Sequence, residues 1–99
     1  MSTPLIEQVI FACDAGMGSS AMGASMLRKK IKEAGITDVT VVNKAVADLP
    51  SHAQLVITQD RLVDRAKHTA PDAVHFSVSN FMMTPVYDEV IALLKEQRQ

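Results

Sequence analysis

The chain has 99 residues, of which 47% are hydrophobic and 21% are charged, and its ten basic and eleven acidic side chains give a net charge of −1. This length suffices for one domain with a hydrophobic core, and the composition excludes the disordered class. Without a basic surplus, nucleic acid is not expected as the main partner. The single cysteine allows no internal disulfide. A reducing compartment, the cytoplasm, is therefore expected.

The sequence also bears on membranes and domain number. Its start lacks the charged and apolar regions of a signal peptide, and no apolar stretch approaches the roughly 18 to 20 residues of a membrane span. No linker, repeat or low-complexity segment divides the chain. We expect a single domain over residues 1–99, with no membrane insertion of its own but able to serve a membrane protein as a partner.

Apolar runs alternate with helical patterns from the first residues onward. The continuous apolar run at residues 9–12 predicts a strand buried on both faces. Apolar residues at helical spacing predict a helix from about residue 20 to 34, with Gly35 as its stop. The β-branched run at 39–42 predicts the second strand, and residues 55–58 predict the third.

The second half continues the alternation. Asp60 is predicted to cap a helix that Pro71 ends, and residues 74–78 predict the fourth strand. Thr84 is predicted as the cap of the last helix, with Pro85 at its first position. Apolar residues at i, i+4, i+7 and i+8 from Val86 give that helix one buried face.

Strand–helix alternation predicts the fold class, an α/β three-layer sandwich around a four-stranded parallel sheet. In such sheets ligands bind at the carboxyl ends of the strands. The loops expected at that edge are residues 13–20, 43–44, 58–60 and 79–84. The first of them holds the only cysteine and two of the four glycines, so we expect the functional site there.

The loop after the first strand has the residue types of an anion site that carries a nucleophile. Its glycines let backbone N–H groups converge, and the following helix adds unpaired N–H groups and the positive end of its dipole. Both features favour a thiolate and would also hold a phosphoryl group attached to it. Cys13 is thus the candidate catalytic residue. The candidate phosphate-binding residues are Asp14, Ala15, Gly16, Met17, Gly18, Ser19 and Ser20.

The run from Ile10 to Ala24, with Cys-Asp-Ala-Gly-Met-Gly-Ser-Ser-Ala-Met at its centre, resembles a known phosphocysteine loop. It is that of the mannitol-type enzyme IIB of the bacterial phosphoenolpyruvate-dependent sugar phosphotransferase system. The similarity continues through residues 27–31, Asn43, residues 48–50 and residues 55–58, and is looser after Asp60.

The resemblance implies a cycle of phosphoryl transfer. Enzyme IIA would give a phosphoryl group from its phosphohistidine to Cys13. Phospho-Cys13 would then pass it to a sugar alcohol, mannitol by the resemblance, held by the membrane-embedded enzyme IIC. The chain would lie in the cytoplasm at the inner face of the membrane, and it would need no cofactor and no metal.

The loop also resembles that of low-molecular-weight tyrosine phosphatases, in which an arginine follows the cysteine and five further residues. Ser19 stands where that arginine would be, and Ser20 matches the serine or threonine after it. Without the guanidinium clamp and an Asp-Pro general-acid loop, the departures favour transfer over hydrolysis. A phosphatase-like hydrolase and a regulatory IIB-like domain remain the alternatives.

Three groups of residues outside the loop are weaker candidates for a functional role. His52 and His68 are expected to be solvated and His75 partly covered, and none is predicted near Cys13. The basic residues Arg28, Lys29, Lys30 and Lys32 are expected to form a solvated helix face, with contact to an acidic rim on a partner enzyme as the alternative. The methionines near the loop, which are candidates for an adaptable apolar docking rim, are Met17, Met22, Met82 and Met83.

The sequence allows two roles for the Asp14 side chain. Its carboxylate either faces away from the phosphoryl group, with only the backbone N–H contributing, or helps to expel that group toward the sugar.

Overall fold

The computed structural model describes residues 5–14, 19–81 and 84–98. Over these residues the chain forms four strands, β1 (Gln8–Cys13), β2 (Thr40–Ala45), β3 (Leu55–Gln59) and β4 (Val74–Val78). It also forms three α-helices, α1 (Ser19–Glu33), α2 (Val63–Thr69) and α3 (Thr84–Gln97). None of these helices is long and apolar enough to cross a membrane.

The four strands form one sheet in the order β2-β1-β3-β4, and every neighbouring pair is parallel. Helices α1 and α3 pack against each other and against one face of the sheet, and α2 packs against the other face. The predicted α/β architecture with a four-stranded parallel sheet is confirmed. Because all strands run in one direction, their carboxyl ends share one edge, where the loop after β1 begins.

Strand β1 lies at the centre of the sheet and contributes to both cores. Val9 and Phe11 face the core beneath α1 and α3, whereas Ile10 and Ala12 face the core beneath α2. All four side chains are fully buried. In a strand that is covered on both faces, polar and apolar residues do not alternate. The segment is therefore a continuous apolar run.

Strand β2 differs from its prediction. It runs from Thr40 to Ala45, so Asn43 and Lys44, which were predicted to form a loop, lie inside the strand. The ladder with β1 continues until Cys13 pairs with Ala45, and these backbone pairings outweigh the local polarity. Because β2 is at the edge of the sheet, its polar side chains can reach solvent. The chain leaves the carboxyl edge here only at Val46.

The helix boundaries differ from the predictions in smaller ways. Asp60 does not cap α2, because it begins a single 3-10 turn, and α2 starts at Val63 without a side-chain cap. The reason lies in Leu62, whose burial directs this turn toward the core. Gly35 has φ of +77°, which confirms it as the stop of α1. Thr84, predicted as a cap, is the first residue of α3.

The basic run on α1 is mostly exposed, as predicted, and two of its side chains also make contacts within the fold. The guanidinium of Arg28 donates from Nε and Nη2 to the carbonyl oxygen of Val41, at 3.1 and 2.6 Å. Nζ of Lys30 lies 2.8 Å from a carboxylate oxygen of Asp88 on α3. Arg28 therefore ties α1 to the edge strand β2, because a long side chain can satisfy a carbonyl that the ladder leaves open.

Candidate functional site

The sulfur of Cys13 lies at the junction between β1 and α1. Cys13 is the last residue of β1, and its side chain is 7% exposed. Its Sγ is 3.2 Å from Oγ of Ser20, the second residue of α1, and Ser20 is fully buried. The structure thus brings together the predicted nucleophile and one of the predicted loop serines across a separation of seven residues.

The sulfur lies beside the amino end of α1. The first turn of α1 carries N–H groups that lack an intrahelical acceptor, together with the positive end of the helix dipole. No acidic residue stands in that turn. Either atom of the Cys13–Ser20 contact can donate. The Ser20 hydroxyl can therefore donate to a thiolate, or to an oxygen of a group attached to the sulfur.

The rest of the predicted phosphate loop can be placed only in part. The backbone of Ser19 is described, as the first residue of α1. The predicted residues that lie outside the described part of the chain are Ala15, Gly16, Met17 and Gly18. Of the predicted methionine rim, Met22 is 55% exposed on the first turn of α1, and Met17, Met82 and Met83 lie outside the described residues.

Asp14 turns its carboxylate toward two arginines. Its Oδ2 lies 2.8 Å from Nη2 of Arg61, and its Oδ1 lies 3.7 Å from Nη1 of Arg65. Arg61 belongs to the 3-10 turn after β3, and Arg65 to α2. Because all three side chains are 51–63% exposed, such pairs contribute only about 0 to 1 kcal/mol each. The consequence is geometric: the carboxylate is directed toward the α2 side.

The alternation of β1 explains why Cys13 and its neighbour differ in direction. Cys13 belongs to the core beneath α1 and α3, as Phe11 does, whereas Ala12 belongs to the core beneath α2. Successive side chains along a strand point to opposite faces. The residue after Cys13 is therefore expected on the α2 side, which agrees with the ion pair between Asp14 and Arg61.

Arg61 and Arg65 were not singled out from the sequence. The available signal was an arginine pair four residues apart, shortly after the third strand. This signal places the two arginines near Asp14 only once β3 is known to pair with β1, with Thr58 opposite Ala12. That pairing brings the residues after both strands to the same place at the sheet edge, and strand–helix alternation alone does not specify strand order.

An aromatic cluster supports the α1 side of the junction. The ring of Phe11 lies 5.8 Å from that of Phe81 and 5.6 Å from that of Tyr87, between centroids. The Tyr87 hydroxyl donates to the carbonyl oxygen of Phe81. Burial raises the pKa of Tyr87 to about 12, so the hydroxyl keeps the proton of this bond at neutral pH. Gly23 of α1 packs directly against this cluster.

The histidines lie away from the cysteine, as expected. His52 and His68 are exposed, and half-buried His75 makes a 2.8 Å hydrogen bond to the carbonyl oxygen of Ala70. His52 precedes β3, and His75 is near the start of β4, so both are toward the amino edge of the sheet. Within residues 5–14, 19–81 and 84–98, no three histidine, cysteine or carboxylate side chains converge as a metal site would require.

The structure thus places a thiol at the end of the first strand of a parallel α/β sheet, beside the amino end of the next helix. The chain belongs to the IIB family of the sugar phosphotransferase system. The family model described as "PTS system, Lactose/Cellobiose specific IIB subunit" matches residues 8–93. The predicted resemblance to an enzyme IIB is therefore confirmed.

Curated relatives are similar over most of the chain. A "PTS system mannitol-specific EIICB component" of Staphylococcus aureus (strain COL) is 61% identical over 94 residues, which are 95% of this chain and 18% of the relative. Proteins of the same name from Staphylococcus saprophyticus and Staphylococcus carnosus are 63% and 59% identical over 90 and 93 residues, covering 91% and 94% of this chain. The chain thus spans about a fifth of the length of these relatives, 18% in each case.

Proposed function

We propose that this chain carries a phosphoryl group on Cys13, from the phosphohistidine of an enzyme IIA to a sugar alcohol held by a membrane enzyme IIC. The observation that carries the proposal is the contact between the Cys13 sulfur and the buried Ser20 hydroxyl, at 3.2 Å, beside the first turn of α1. Membership of the IIB family supports it. The relatives are named as mannitol-specific EIICB components. These names support mannitol as the sugar that accepts the phosphoryl group, and enzyme IIC as the protein that holds this sugar.

In the first step the Cys13 thiolate attacks the phosphorus of phosphohistidine. A sulfur–phosphorus bond forms while the nitrogen–phosphorus bond breaks, and the imidazole nitrogen recovers the electron pair. The amino end of α1 and the Ser20 hydroxyl stabilise negative charge on the sulfur and on the phosphoryl oxygens. The chain would carry out both steps at the cytoplasmic face of the membrane.

In the second step a hydroxyl of the bound sugar attacks the phosphorus of phospho-Cys13. The sulfur–phosphorus bond breaks, the thiolate leaves with the bonding electron pair, and the proton of the sugar hydroxyl passes to water. The same positive end of α1 stabilises the departing thiolate. One arrangement therefore stabilises the thiolate both as the nucleophile of the first step and as the leaving group of the second. We assign backbone N–H groups of residues 14–20 to the phosphoryl oxygens, with Asp14 contributing its N–H rather than its carboxylate. Exposed Met22 is available for docking both partners.

The proposal is tested by locating the phosphoryl group. After incubation with phosphoenolpyruvate and the upstream phosphotransferase proteins, mass spectrometry should find about 80 mass units added at Cys13. The adduct should be labile to iodine, as expected of a thiophosphate. Alkylating Cys13 before the incubation is the control and should block labelling. A stable phosphate on His52, His68 or His75 instead would contradict the proposal.

The phosphatase alternative leads to a separate prediction. Hydrolysis of p-nitrophenyl phosphate by the unmodified protein should be slower than about 1 per second, the low end of ordinary enzymatic turnover. The reason is that Ser19 occupies the position of the arginine clamp, and Arg61 is engaged with Asp14. Turnover is followed by the absorbance of the released p-nitrophenolate, with Cys13→Ser as the background control. Sustained turnover at or above that rate, absent in the control, would favour a hydrolase.

A further inference from the structure

Next to Cys13 the chain carries a fixed negative charge that a phosphate site would not be expected to tolerate. Asp14 follows the cysteine directly, and a carboxylate near the sulfur would repel both a thiolate and an incoming phosphoryl group. The structure shows that carboxylate paired with Arg61 at 2.8 Å and with Arg65 at 3.7 Å, both on the α2 side. The question is therefore what keeps it there.

Arg61 is oriented for this role by a second contact. Its Nη2 lies 3.3 Å from Oε1 of Gln59, the last residue of β3, and 2.8 Å from Oδ2 of Asp14. One guanidinium edge thus bridges the end of β3 and the residue after β1. Arg65 approaches the other carboxylate oxygen from α2. A planar guanidinium with a fixed set of donors suits such bridging better than an ammonium group does.

We propose that Arg61, assisted by Arg65, is a positioning residue that holds the Asp14 carboxylate on the α2 side and keeps its charge away from the Cys13 sulfur. Its functional meaning rests on the proposed phosphoryl transfer at Cys13, although the geometry does not. Without Arg61 the carboxylate can turn toward the amino end of α1, which attracts anions. There it would compete with the thiolate and the phosphoryl group for the same positive potential.

The test measures the electrostatic potential at Cys13 with two alkylating reagents. Iodoacetate is anionic and iodoacetamide is neutral, so the ratio of their rate constants at one pH reports the charge near the sulfur, and thiol ionisation cancels. Arg61→Gln should lower the iodoacetate-to-iodoacetamide ratio about two- to fivefold, the effect of one unit charge a few ångströms away in water. Arg65→Gln should have a smaller effect, since its contact is longer.

A double variant separates positioning from the arginine's own charge. In the Asp14→Asn background, Arg61→Gln should leave the ratio unchanged, because no carboxylate remains to be released. Arg61→Lys should recover part of the original ratio. Lys67→Gln is the matched control, since it removes one exposed positive charge from α2 and should leave the ratio unaltered. All four positions are exposed, so thermal melting should show the variants folded.

Three results would overturn the assignment. They are an unchanged ratio in Arg61→Gln, an equal drop in the Asp14→Asn background, and a larger effect from Arg65→Gln than from Arg61→Gln. The measurement uses no partner protein. If Cys13 proves not to be phosphorylated, the proposed function fails while the Arg61 effect on the ratio can still be observed. If the ratio is insensitive to Arg61, phosphorylation of Cys13 still stands.

Discussion

Replacing Cys13 with alanine is expected to reduce phosphoenolpyruvate-dependent sugar phosphorylation by at least about 10³-fold, because no covalent intermediate can then form. The sulfur is the only thiol in the chain, and it lies against the Ser20 hydroxyl at the start of α1. The assay combines the chain with purified upstream proteins and membranes that contain enzyme IIC, with labelled mannitol as the sugar. The rate of sugar phosphate formation is the readout.

Ser20→Ala is a second variant, for which we expect a smaller loss of phosphoryl transfer. It keeps the thiol but removes the buried hydroxyl 3.2 Å from the sulfur. Loss of one preorganised donor at a charge-bearing atom typically lowers a rate about 10²- to 10³-fold, and a partly redundant amide cradle would reduce that effect. We therefore expect Ser20→Ala to retain more transfer than Cys13→Ala while still forming phospho-Cys13. Unimpaired sugar phosphorylation by Cys13→Ala would place the acceptor on another residue.

Gly23→Ala is expected to destabilise the fold by about 2 to 3 kcal/mol, a large effect for a single methyl group. A Cβ at this position would lie 2.7 Å from the Tyr87 hydroxyl, 2.8 Å from Cε2 of Phe11 and 3.1 Å from Cβ of Phe81. These three residues are almost completely buried and pack against one another, so they cannot move apart freely. The gain of about 1 kcal/mol in helix propensity from glycine to alanine offsets only part of the clash.

Thermal unfolding should show this destabilisation as a fall in Tm of roughly 10 to 20 °C for a domain of this size. Tyr87→Phe is the informative second change, because it removes the hydroxyl that lies nearest the added methyl group. Alone it should cost about 1 kcal/mol for the lost bond to the Phe81 carbonyl. Combined with Gly23→Ala it should cost less than the sum. Strict additivity of the two changes would mean that the crowding arises elsewhere.

The sequence alone was sufficient to predict the strands and helices, and it also led to a prediction for the chemistry of one loop, which stays a prediction. Buried strands such as residues 9–12 are continuous apolar runs, and helix stops such as Gly35 act through local backbone preferences. Cys13 and the glycines and serines after it form one contiguous segment, so the sequence itself displays their chemical relation. The predictions that failed, the loop at Asn43 and the cap at Asp60, concern boundaries where pairing with β1 or burial of Leu62 outweighs local preference.

Tertiary structure decided the relations between residues distant in the chain. The Asp14 carboxylate contacts Arg61, and this contact requires β3 to lie beside β1 in the order β2-β1-β3-β4. Likewise, Arg28 holds the edge of β2, and Gly23 faces Tyr87 across 64 residues. Local patterns determine which segments are strands and helices because their causes act over a few residues. Strand order, packing faces and ion pairs follow from the packing of the whole chain, which no short segment specifies.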